Sequence, residues 1–119
     1  MDLKNLLRQL DDLPWEPFGG KTREIYRKSL SVQTFPSNFK ANLTLAKPGG
    51  EFPDHADPYT HIFYILEGEG EAFVEEERIP WRKGTALTVP VGKRHGYRNT
   101  GKTDLLLITL NLYELGDKK

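Results

Sequence analysis

The chain has no cysteine. That removes a disulfide framework, a thiolate zinc site and a thiol nucleophile together. It also has no net charge, because 17 basic residues balance 17 acidic ones. A balanced chain has no electrostatic pull toward nucleic acid or an anionic membrane, so neither is expected as a partner. No apolar run reaches the length of a membrane span, and the first residues lack the basic-then-apolar layout of a secretory leader. With cysteine absent as well, a cytoplasmic location is expected. Histidine is scarce: His55, His61 and His95 are the whole supply, and all lie between Gly49 and Asn99.

Punctuation is abundant. Eleven glycines and eight prolines cut the chain into short alternating runs, the pattern of many strands and tight turns. A chain of 119 residues fits one domain with its own core. The expected division is an N-terminal helix and arm over 1–20, then a β-barrel over 21–115.

Leu3, Leu6, Leu7 and Leu10 recur at helical spacing behind Asp2, a capping residue, and Pro14 closes the run. This predicts an amphipathic helix over 2–12, its leucine stripe laid on the barrel or on a second subunit. Trp15 and Phe18 are expected to dock on the sheet. Strand character follows over 23–33, with the phase broken near Lys28-Ser29 as at a bulge. Residues 39–45 alternate, with Phe39, Ala41, Leu43 and Leu45 on one face, and Pro48-Gly49-Gly50 ends that strand. Residues 61–66 form the strongest strand, apolar on both faces and so covered on both. A glycine-rich hairpin turn at 67–70 and a solvated tip at Glu75-Glu76-Glu77 follow. Residues 105–112 read as a long apolar strand, central or at a subunit contact. The sum is roughly eight to ten short strands, an all-β sandwich or barrel.

Imidazole and carboxylate are ligands for borderline transition metals. His55, Asp57 and His61 share odd parity, so an extended backbone aims them to one side, with Pro58 making the alignment approximate. His95 shares a face with Tyr97 and Asn99. If the two faces meet across a barrel, three imidazoles and one carboxylate converge. Asp57 has three open roles: metal ligand, partner orienting an imidazole, or cap of the turn before Pro58. Phe63 and Tyr97 fit barrel core. Tyr26, Phe52 and Tyr59 fit core or the mouth of a pocket, and Asn99 fits a turn hydrogen bond.

Two spaced motifs carry a family resemblance. Gly49, His55, Asp57, His61 and Gly68 follow the pattern Gly, five residues, His-x-His, three or four residues, Glu, six residues, Gly. Asp57 replaces the second His and His61 replaces the Glu. Gly84, Pro90, Gly92, His95 and Asn99 match Gly, five residues, Pro-x-Gly, two residues, His, three residues, Asn without a gap. The chain resembles a small single-domain cupin over residues 40–112.

The resemblance implies an RmlC-like jelly-roll barrel, a double-stranded β-helix, with a short N-terminal helix ahead of it. It implies a variant metal site of His55, Asp57, His61 and His95 holding a divalent transition metal: Fe, Mn, Ni, Zn or Cu. A lone buried histidine usually satisfies a hydrogen bond and nothing more. Three histidines at three ligand positions outweigh that reading. A small-molecule ligand and a homodimer are also implied. The function implied is a non-haem metal-dependent enzyme, dioxygenase-like first and isomerase or lyase second, with Asp57 and Tyr97 as candidate catalytic residues handling protons. The alternative is a non-catalytic sugar-binding or sensor cupin with a structural metal. His55, Asp57 and His95 also form the two-His-one-carboxylate set of 2-oxoglutarate oxygenases, but no arginine well placed for that co-substrate follows His95.

Overall fold

The computed structural model describes residues 6–31 and 38–113. Among them run nine strands: β1 (Glu16–Pro17), β2 (Arg23–Ser29), β3 (Phe39–His55), β4 (Thr60–Glu67), β5 (Glu69–Val74), β6 (Glu77–Arg82), β7 (Ala86–Val89), β8 (His95–Arg98) and β9 (Leu105–Leu112). All pairings are antiparallel, and the sheet runs β6-β5-β8-β3-β9-β4-β7, with β2 on β3 and β1 on β2. It curls on itself into the expected all-β jelly-roll barrel.

Strand β3 produces the curl. Its first half, Phe39 to Ala46, pairs with β9, while Glu51, Phe52 and His55 pair with β8. The chain crosses between these halves at Gly49, whose φ of +81° suits a residue without Cβ. Pro48-Gly49-Gly50 therefore bends the strand and does not end it. Buried Asn99 fastens the bend, fulfilling its expected turn role. Its Nδ2 donates to the carbonyls of Ala46 and Thr103, both at 2.8 Å, and its Oδ1 accepts from the Gly101 N–H at 2.8 Å.

Position along the inward face of each strand sorts the barrel interior into two ends. Ile25, Ala46, Ile65, Ala72, Trp81, Val89, Leu105 and Leu107 pack as an apolar core, each large aliphatic chain contributing about 1.5–3 kcal/mol by leaving water. Phe63, Trp81 and Tyr97 close it with edge-on and tilted ring contacts of 5.3–5.8 Å. The other end is polar. Lys40, Asn42 and Thr44 of β3 and Thr109 and Asn111 of β9 face a cavity there. On β3, then, the polar alternates turn toward the cavity, and the apolar face bearing Ala41, Leu43 and Leu45 lies outside.

Two further local expectations are corrected. The helix predicted over 2–12 lies partly outside the described residues, and its described part holds a 3₁₀ turn at Leu10–Asp12. Leu7 is 76% exposed. A short helix needs an apolar face buried to offset its nucleation cost, and here Lys28 Nζ draws the Leu10 carbonyl at 2.7 Å instead. The bulge expected near Lys28-Ser29 falls between Arg23 and Ile25, where Glu24 has φ +56°. Lys28 breaks the sequence pattern because its stem is covered and its ammonium sits 4.5 Å from the Trp15 ring centre. No helix of the described residues is long and apolar enough to cross a membrane.

Candidate metal centre

The last residue of β3 and the first of β8 are both histidine, and His55 and His95 sit directly opposite in register. His61, second in β4, faces them across the barrel, and the loop between β3 and β4 brings Asp57 among them. Donor atoms of all four lie within 4.8 Å of one another. His55 Nε2 is 2.9 Å, His61 Nε2 2.8 Å and His95 Nε2 3.9 Å from the same oxygen, Asp57 Oδ2. The structure thus brings together all four predicted residues. Asp57 turns its carboxylate into the cluster and does not cap the turn before Pro58.

The far side of each ring explains why these nitrogens face inward. His55 Nδ1 lies 2.8 Å from the Pro53 carbonyl and His95 Nδ1 2.9 Å from the Lys93 carbonyl. A carbonyl only accepts, so Nδ1 carries a proton in both rings. His61 Nδ1–H donates to Asn111 Oδ1 at 2.8 Å. In a neutral ring the proton on Nδ1 leaves Nε2 as a lone pair. Three such nitrogens and a carboxylate oxygen gather here, His61 Nε2 within hydrogen-bond distance of Asp57 Oδ2 at 2.8 Å. Burial pushes the His95 imidazole below its ordinary pKa, and His95 Nε2 is buried without a hydrogen-bond partner. Acceptors crowded in this way repel unless a cation sits between them. The residues fit a divalent transition metal, with each ligand held by an outer acceptor.

A cavity of about 240 Å³ opens from the cluster. Phe63 and Tyr97 belong both to its lining and to the core, so they form its floor. Phe52 stacks on His55 at 4.6 Å and Tyr59 meets His61 edge-on at 4.9 Å. Of the three rings proposed for the mouth, Phe52 and Tyr59 line it; Tyr26 instead hydrogen-bonds Glu24 and lies under Lys47. Burial first, then the Asp57 charge, pushes the Tyr59 phenol up to about 12. Burial likewise pushes the Tyr97 phenol well up.

Sequence reasoning missed Asn111, the acceptor that orients His61, and the polar wall of Asn42, Thr44 and Thr109. A signal was present. Thr109 and Asn111 interrupt an apolar run at the parity of Leu105 and Leu107, and inward polar residues in a core strand imply something polar to face.

Residues 42–111 match the cupin domain model Cupin_2, and the chain belongs to the cupin family. It is 31% identical over 67 residues to polyketide synthase CurC of Streptomyces cyaneus, covering 56% of this chain and 44% of that one. It is 31% identical over 67 residues to 5-nitrosalicylic acid 1,2-dioxygenase of Bradyrhizobium sp., covering 56% and 32%. The chain thus spans less than half the length of either relative. The polyketide cyclase RemF of Streptomyces resistomycificus shares the fold, with a TM-score of 0.80 and 19% identity over 91% of this chain and 79% of that one.

Proposed function

We propose that this chain is a metal-dependent enzyme acting on a small organic molecule, with oxidative cleavage of an aromatic or keto acid as its reaction. One observation carries the reading: three Nδ1-anchored imidazoles turn bare Nε2 atoms toward a single carboxylate oxygen at the wall of a cavity. A divalent Fe, Mn, Ni, Zn or Cu ion bound there supplies Lewis-acid polarisation of a ligand oxygen and, for a redox-active metal, activation of dioxygen.

The chain's own groups do the rest. His55, His61 and His95 would hold the ion at the cavity wall. Asp57 is either a fourth ligand or the proton acceptor beside it. Tyr97, its phenol kept protonated by burial, serves as a hydrogen-bond donor and not as a base. Phe52, Phe63 and Tyr97 exclude water from the inner cavity. The likeness to a dioxygenase acting on a nitrosalicylic acid supports the oxidative reaction. The likeness to a polyketide synthase supports a second one on the same donors, ring closure within a poly-carbonyl chain without oxygen.

Metal analysis of protein purified without chelator, paired with oxygen-electrode assays, tests this. Bound metal in the wild type, its loss in His61→Ala, and oxygen uptake with product from catechols, salicylates or keto acids are expected. Product from a poly-carbonyl compound without oxygen uptake selects the second reaction. Metal without turnover on either panel moves the chain to the binding-module class, and absence of metal from the wild type removes the proposal. Asp57→Ala assigns the carboxylate: metal lost means ligand, and metal kept with turnover lost means proton acceptor.

A further inference from the structure

We infer that the rim of this cavity is an anion site, where Arg27 and Lys40 hold a carboxylate on a ligand whose other end reaches the metal donors. The inference deepens the reading above and rests on it for the metal end. Arg27 and Lys40 are exposed at the cavity lining. Arg23, Arg78, Lys83, Arg94 and Arg98 each face a carboxylate at 3.7 Å or less. Among the described residues, Arg27 and Lys40 form no ion pair. Among the described residues, one carboxylate lines the cavity, Asp57, and it sits against His55 and His61 at 2.9 and 2.8 Å. Glu16 stands opposite Arg27 in register without an ion pair to it, so among the described residues the rim carries two basic side chains that no salt bridge engages.

Their placement is directed. Basic side chains on a strand ordinarily point to bulk water, yet the parity of β2 and β3 turns these two toward the cavity. Arg27 pairs with Thr44, and Lys40, Asn111 and His61 lie in one transverse row across β3, β9 and β4. Two strand spacings put the Lys40 and His61 backbones about 10 Å apart, a gap that one substituted aromatic ring bridges. The Arg27 guanidinium carbon sits 4.4 Å from the Phe18 ring centre. A guanidinium stacked on a ring keeps its N–H edge free for bidentate contact with a carboxylate. A cavity of about 240 Å³ is below the range of drug-sized ligand sites, so the occupant is small. The chemistry that fits is a single-ring acid: adjacent oxygen donors at one end, a carboxylate at the other.

Calorimetry on zinc-loaded protein, with catechol and 3,4-dihydroxybenzoate as probes, tests this without redox turnover. The two probes share their chelating oxygens and differ in the carboxylate. The wild type is expected to prefer 3,4-dihydroxybenzoate by about tenfold or more, the scale of one charge-assisted contact. Arg27→Gln/Lys40→Gln abolishes that preference while zinc uptake and catechol affinity hold. An unchanged preference in the double variant, or no preference in the wild type, overturns the inference. If the wild type takes up no zinc, the metal reading alone fails. Line broadening of benzoate by the metal-free protein then decides the anion site: broadening lost in the double variant upholds it, and equal broadening overturns it.

Discussion

Asn111 does for His61 what backbone carbonyls do for His55 and His95: it accepts the Nδ1 proton and fixes which nitrogen faces the cluster. A carbonyl cannot be removed by substitution, but an amide can. Asn111→Ala is therefore expected to lower metal affinity about 10–100-fold, read by competition with a chromogenic chelator, while the circular dichroism spectrum is unchanged. Of the three histidines in the cluster, His61 alone is exposed to this test. The members of the cluster were legible from spacing because side chains of that type at those intervals are rare. Their acceptors were not. Two are carbonyls that every residue owns, and the third sat inside a run that read as apolar.

At the scale of elements, the bend in β3 matters most, because it sets His55 opposite His95. Asn99→Ala removes three hydrogen bonds at that corner and strips the Ala46 and Thr103 carbonyls of a partner. Unsatisfied buried groups cost about 1–3 kcal/mol each. Urea unfolding should show a loss of about 3 kcal/mol, with weaker metal binding in the protein that stays folded. Continuous apolar runs revealed β4 and β9, and alternation the first part of β3, because those patterns are local. Pro48-Gly49-Gly50 read as a strand end because the residues that stop a strand also let it turn and continue. Only the pairing partners, β9 before the bend and β8 after it, distinguish the two. Within the described residues, the leucine spacing misled for a related reason: helical periodicity describes a helix only if something covers its apolar face.

For the whole molecule, the barrel was legible from its turn residues, its alternation and the second spaced motif around His95. The direction of each face was less so. Ile62 and Tyr64 of β4, Ile108 and Leu110 of β9, and Ala41 and Leu43 of β3 meet in register on the outside of the barrel, and Tyr64 is 43% exposed. This apolar outer face supports the homodimer proposed from the family resemblance. Light scattering at micromolar concentration should give twice the chain mass, and Ile108→Glu should give the single mass with the fold retained. A wild-type monomer defeats the proposal.

The inner faces have a different consequence. The donor set draws on β3, β4 and β8, and β9 joins the first two of these. No single hairpin assembles it. Three of the four donors lie within residues 55–61, so an unfolded polypeptide would offer an ion a partial chelate and only closure of the barrel would add His95; the difference between the two affinities would be returned as thermodynamic resistance to opening.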